Sequence, residues 1–155
     1  METAFLSKKP QYKTEVARII FERFHLDERR KGTFKETVKF FSQSGIESYP
    51  ITMIALEGGK CIGTVSIYKN DLPERPEYQP WLAALYVLPG YRGRGVADRL
   101  VGDMLKHLSG LGYETIYAKT ESETKYDYYA QKGWEILETL DVGGHDNYIF
   151  RKRNN

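Results

Sequence analysis

A single cysteine, Cys61, excludes an internal disulfide and fits a reducing compartment. No base stands beside it in sequence, so it reads as a small buried hydrophobe rather than a nucleophile. Histidine is almost as scarce. His25, His107 and His145 stand far apart, with no zinc-type spacing, so no structural metal is expected. Long apolar runs are missing too, and none approaches the ~20 residues that a membrane-spanning helix needs. Glu2, Lys8 and Lys9 surround a short apolar stretch at the N-terminus, which has no signal-peptide core. The expectation is a cytoplasmic chain without membrane partners. Charge of one sign is also lacking: a net +2 is too small to argue for nucleic acid. The basic triplet Arg151-Lys152-Arg153 reads as a solvated tail.

What is present is ordinary for a globular protein. The 155 residues are 41% hydrophobic and 28% charged, with no repeat, low-complexity segment or dividing linker. One domain over 1–155 follows, long enough to bury roughly two thirds of its unfolded surface. The first third reads as helical. Val16, Ile19, Ile20 and Phe24 share one helical face, as do Phe34, Val38 and Phe41, and Thr33 with Glu36 forms a capping box. A short strand around Ala4 to Leu6 precedes them.

The pattern then changes. Ile51 to Leu56 and Cys61 to Tyr68 flank Gly58-Gly59, the signature of a tight hairpin. Asn70 to Pro80, with three prolines and the acids Asp71, Glu74 and Glu77, must be a loop. Trp81 to Leu88 is a continuous apolar run, expected of a strand buried on both faces. After Gly95, Val96, Leu100, Val101, Met104, Leu105 and Leu108 line one side of a strong helix. Gly102 within it implies close helix–sheet packing. A strand at Thr115–Thr120, a helix over Thr124–Lys132 and strands at Trp134–Leu140 and Asn147–Lys152 complete a mixed α/β sheet.

The stretch that carries chemistry runs from Leu85 to Ala97. A strand feeds through the glycine-rich turn Arg92-Gly93-Arg94-Gly95 into a helix N-terminus, whose free amides and positive dipole end form a seat for phosphate. Gly93 and Gly95 permit close backbone approach, and Arg92 and Arg94 can neutralise a diphosphate. A dinucleotide fingerprint fails, because Asp98 occupies its third glycine position. A nucleotide P-loop fails for want of the Gly-Lys-Ser/Thr ending. A helix start with no ligand is the bland alternative, and two arginines interleaved with two glycines make it the poorer one.

Arg92-x-x-Gly95-x-Ala97 resembles the Gln/Arg-x-x-Gly-x-Gly/Ala signature of the GNAT family of N-acetyltransferases. Leu85-Tyr86-Val87-x-Pro89 looks like the family's fourth strand, and Tyr128-Tyr129-x-x-x-Gly133-Trp134 like its later Phe-Tyr-x-x-x-Gly-Phe segment. The resemblance covers roughly residues 50 to 140. It implies an acyl-CoA N-acyltransferase fold, a mixed sheet of six or seven strands flanked by about four helices. It further implies acetyl-CoA as co-substrate, no metal, and direct attack by a primary amine of a small molecule or peptide. The backbone of Leu85 and Val87 would bond the pantetheine arm. The amides of Gly93, Arg94, Gly95, Val96 and Ala97, with Arg92 and Arg94, would hold the pyrophosphate. Tyr129 would protonate the departing thiolate, a phenol near pKa ~10 supplying a thiolate near ~8.5. Without the motif, Tyr129 reads as a buried aromatic.

Two departures follow from the same resemblance. Many family members carry a strand glutamate at positions matching Ala83 or Ala84, and commonly an asparagine where Ser122 stands. The base must come from Asp71, Glu74, Glu77, His145 or water, or the amine binds already neutral, or else the chain is a non-catalytic acyl-CoA-binding module. The acidic loop would suit a cationic acceptor such as a polyamine, an aminoglycoside or a peptide N-terminus. A monomer or homodimer fits either reading. Trp81 would pack at the mouth of the fourth strand or line the acceptor pocket, and Trp134 would pack beneath the sheet.

Overall fold

The computed structural model describes residues 1–25 and 32–154. Strand β1 (Glu2–Phe5) leads through two short 3-10 turns to helices α1 (Lys13–His25) and α2 (Phe34–Ser42). Strands β2 (Ile51–Glu57), β3 (Lys60–Tyr68) and β4 (Trp81–Val87) follow, then α3 (Val96–Gly110), β5 (Thr115–Thr120), α4 (Glu123–Gln131), β6 (Glu135–Val142) and β7 (His145–Arg153). The seven strands form one sheet in the order β1-β2-β3-β4-β5-β7-β6. Every neighbouring pair is antiparallel except β4 and β5, which are parallel.

Side-chain alternation in the central strands sends apolar groups to both faces. Ile51, Met53 and Ala55 of β2 join the core under α3, while Ile54 and Leu56 join Val16, Ala17, Ile20 and Phe41 under α1 and α2. The side chains of Phe24 and His25 lie outside the described residues. Thr33 and Glu36 form the reciprocal capping box expected from their spacing, worth about 1 kcal/mol to α2. On α3, Val96, Leu100, Val101, Met104 and Leu108 are buried and Leu105 partly so. Gly63 on β3 admits the start of that helix. A β-carbon there would meet Leu100 Cδ1 at 3.2 Å and Val96 Cγ1 at 3.3 Å, so glycine sets how closely α3 docks.

Three expectations are corrected. Gly102 is exposed, with no atom within 4 Å of a β-carbon placed on it, so close packing is not its reason. Arg151, Lys152 and Arg153 are no tail: they close β7, which lies between β5 and β6. Arg151 pairs with Glu135 at 2.9 Å, and the Lys152 ammonium donates to the Lys132 carbonyl. Finally, only Trp81 and Leu82 of β4 are fully buried, whereas Ala83 to Val87 are half-buried. That half of β4 has lost its β5 neighbour and borders open space instead.

Candidate active site

The site begins as a failure of strand pairing. β4 and β5 are in register only at Trp81 and Tyr117, where the Tyr117 N–H donates to the Pro80 carbonyl at 3.0 Å. Beyond that pair the strands splay. Leu82 to Leu85 on one side and Lys119 to Ser122 on the other wall a cavity of about 300 Å³ in the gap. A bulge shapes the β4 wall: Thr64 faces Tyr86 and Ser66 faces Ala83, so three steps on β4 match two on β3. Ala84 absorbs the extra residue at φ 52°, the one non-glycine with positive φ among the described residues. Such a dihedral costs on the order of 1 kcal/mol and persists where surrounding structure enforces it.

Outward along β4 the gap opens into a second cavity of about 760 Å³, bordered by the start of α3 and one side of α4. Arg23, Leu85, Ser122 and Lys125 line both cavities, which makes them one cleft with an inner and an outer part. At the outer end the chain turns through Gly93 (φ 76°) and Gly95 (φ 79°), the latter capping α3. The first bond of that helix runs from the Arg99 N–H to the Gly95 carbonyl, at 3.0 Å. The amides of Val96, Ala97 and Asp98 precede it and leave the helix end free to donate. Nothing lies within 4 Å of a β-carbon on either glycine. The cradle therefore has room for an anion that a side chain would occupy.

Of the residues singled out from sequence, Leu85, Val87, Arg92, Gly93, Gly95, Val96 and Ala97 all line the outer cleft. The Arg92 guanidinium lies over the Tyr86 ring and donates to the Val87 carbonyl at 2.8 Å, so one strand acceptor is already engaged. Arg94 turns elsewhere: it pairs with Glu57 at 3.3 Å, donates to the Gly90 carbonyl and lies over Tyr91. Tyr129 lines the inner cavity and is otherwise core, packed edge-on against Tyr128 and Trp134 and tilted against Phe150. Burial, then the charges of its neighbours, hold its hydroxyl protonated far above the ordinary phenol value. Trp134 packs against Tyr129 in the same core, as its position in sequence implied.

Asp71 borders the inner cavity, opposed by the Lys119 ammonium at 3.9 Å. Glu74, Glu77 and His145 are exposed and are absent from the linings of both cavities. Trp81 is fully buried among Tyr78 and Tyr117 instead of lining the cleft. Cys61 is buried, and burial pushes its thiol up to about 11.

Four cleft residues escaped the reading from sequence. Arg23 arrives from α1 and Glu121 from the end of β5, and only the fold brings these to the gap. Lys132 pairs with Asp98 at 3.0 Å, and Tyr128 donates to the same carboxylate at 3.1 Å. The acid beside the anion cradle is thereby matched by a cation. Lys125 donates from Nζ to the Leu85 carbonyl at 3.1 Å. Its helix is capped by Ser122, whose hydroxyl accepts the Lys125 amide at 3.4 Å. The one available signal was spacing: Lys125, Tyr128, Tyr129 and Lys132 recur at three- and four-residue steps along one side of α4. Among the described residues, no three His, Cys, Asp or Glu side chains gather as metal ligands, and no helix is long and apolar enough to cross a membrane.

Comparison with known proteins follows this geometry. The acetyltransferase (GNAT) family model matches residues 14–134. An N-alpha-acetyltransferase MAK3 of Arabidopsis thaliana is 32% identical over 75 residues, covering 48% of this chain and 38% of that protein. The chain spans about a third of the length of the curated relatives it matches. A putative acetyltransferase of Salmonella typhimurium, solved with acetyl-CoA, superposes with a TM-score of 0.75 at 14% identity, over 100% of this chain and 94% of that one. An aminoglycoside 6'-N-acetyltransferase complexed with coenzyme A gives 0.76 at 16% identity, over 100% and 98%. With a family match over most of its length, on a fold whose central parallel strands splay apart, the chain belongs to the GNAT acetyltransferase family.

Proposed function

We propose that the chain is an acetyl-CoA-dependent N-acetyltransferase acting on a primary amine of a small molecule or peptide. The observation that carries this reading is the two-part cleft. An amide-rich helix start lies at its outer end, and a gap between parallel strands lies at its inner end. The amides of Val96, Ala97 and Asp98 with Arg92 suit a pyrophosphate, and the free edge of β4 at Leu85 suits an amide-bearing arm. Relatives of the same fold solved with acetyl-CoA or coenzyme A support that fit. Acetyl-CoA would supply the activated acetyl group, delivered where the strands part. The chain's own part is to orient that thioester, exclude water, admit the amine through the inner cavity and move two protons. Tyr129, which borders the inner cavity, would donate one of them to the departing thiolate. Asp71 is the one acid of the four proposed bases that borders the inner cavity.

The absence of a carboxylate at Ala83 and Ala84 favours a second reading, a module that binds acyl-CoA without transferring it. Asp71 in the same cavity weighs against it. Incubation with acetyl-CoA and a panel of polyamines, aminoglycosides and peptides, followed by thiol release, separates the two. Transfer to at least one amine is expected, with kcat/KM falling more than about tenfold in Asp71→Asn and little in Glu74→Gln. Tight CoA binding with no acetylated product from any amine would establish the non-catalytic module.

A further inference from the structure

The proposed transfer leaves Lys125 without a task, although it is one of the four residues that line both parts of the cleft. It leaves the first turn of α4, borders both cavities and crosses to the free edge of β4, where Nζ bonds the Leu85 carbonyl at 3.1 Å. That carbonyl belongs to the strand stretch assigned above to the pantetheine arm. A thioester seated there must either displace the amine or lie against it.

The amine is also chemically suited to react. Burial first, and then the repulsion of Arg23 and Arg92, push its ammonium down to about 8. At pH 7.5 roughly a quarter of such an amine is neutral and nucleophilic, against about one in a thousand for an ordinary lysine near 10.4. Held beside the thioester, it would gain the advantage of proximity that an amine arriving from solution lacks.

We propose that Lys125 is a self-acetylation site of this chain, an internal acceptor for the acetyl group that the cleft receives. The inference rests on the acetyl-CoA reading above. The neutral Nζ attacks the thioester carbonyl carbon, a C–N bond forms, and the C–S bond breaks. The proton lost by nitrogen leaves with the sulfur, giving Nε-acetyl-lysine and the free CoA thiol. No further reactant is needed. Acetylation removes the positive charge at the junction and puts a neutral amide between the outer cleft and the inner cavity. The modified chain would therefore present a narrower passage to an external amine.

The test follows acetyl incorporation by peptide mass spectrometry after incubating the folded protein with acetyl-CoA. Exposed Lys106 on α3 serves as the internal reference. Lys125 is expected to acquire acetyl at least about tenfold faster than Lys106. That advantage should vanish in urea and be suppressed by excess desulfo-CoA, which fills the cleft but carries no thioester. Lys125→Arg should remove the increment. Equal rates at the two lysines in the folded chain, or an advantage indifferent to desulfo-CoA, would overturn the proposal. Calorimetric titration of the same preparation with CoA keeps the two readings apart. CoA binding without preferential Lys125 labelling overturns self-acetylation alone, and absence of CoA binding overturns both.

Discussion

Tyr129 holds two positions at once, as a core aromatic and as a wall of the inner cavity. Its ring is nearly inaccessible and packs against Tyr128, Trp134 and Phe150. Burial favours the neutral hydroxyl, so the proton is present at any physiological pH. The same shift makes the phenol a weaker acid than its free counterpart, and donation to a thiolate then depends on direct contact. Tyr129→Phe removes only the hydroxyl and keeps the packing. With an accepted amine, kcat should fall by roughly 10² to 10⁴, while CoA affinity and thermal stability stay near those of the parent. Steady-state kinetics on the folded variant check this, and a loss under about threefold would assign the proton to water or to Lys125. The sequence singled out this residue but could not choose between its two descriptions, because burial and cavity exposure are properties of neighbours distant in the chain, and its role as an acid stays a proposal. Lys125 was illegible for the same reason. Its three- and four-residue spacing from Tyr128 and Tyr129 is the one local sign, and only the splay of β4 from β5 opens the Leu85 carbonyl that it bonds.

At the level of elements, the periodicity of the chain made most of the fold legible. Helical spacing located α1 to α4, the Gly58-Gly59 pair located the β2–β3 hairpin, and the arginine–glycine turn located the start of α3. The bulge in β4 was not legible, since Ala83-Ala84-Leu85 reads as any apolar strand, and β4 accordingly looked covered on both faces. The cradle depends on the backbone of its turn. Gly95 caps α3 with φ 79°, and a β-carbon there would point into the open cleft. In Gly95→Val a branched side chain must adopt a dihedral that costs on the order of 1–2 kcal/mol and would stand where the proposed pyrophosphate would sit. Against the stability of ~5–15 kcal/mol usual for a domain, that cost leaves the fold intact. The expected outcome is a thermal midpoint lowered by a few degrees and CoA affinity reduced by more than about tenfold. Calorimetry showing unaltered affinity in a folded Gly95→Val would remove the pyrophosphate from this turn.

Across the whole molecule, four shifted groups make alkaline stability a test of the packing, in the cores around Cys61 and Tyr49 as well as at the cleft tyrosines Tyr128 and Tyr129. Burial raises the Cys61 thiol to about 11, and it raises the phenols of Tyr49, Tyr128 and Tyr129 well above their ordinary value. The Tyr113 hydroxyl adds to the shift at Tyr49, and the Asp98 charge to that at Tyr128. In each case the unfolded chain releases its proton first. The stabilisation is fully present below the unfolded values, about 8.5 for the thiol and about 10 for the phenols, and is lost as pH rises past them. Lys125 runs the other way. Its folded value of about 8 lies below that of an unfolded lysine near 10.4, so burying it disfavours folding at neutral pH, and the cost fades between those two values. The thiol and the lysine therefore oppose each other between pH ~8 and ~10, and the three phenols dominate above that range. Urea unfolding at a series of pH values should give a midpoint nearly level to about pH 10 and then steeply falling. In Lys125→Arg, whose charge persists throughout, the opposing contribution disappears and the decline should begin near pH 9. A midpoint that stays level to about pH 11 would mean that these tyrosines are not packed as described, Tyr129 on the inner wall of the cleft and Tyr128 on the outer among them.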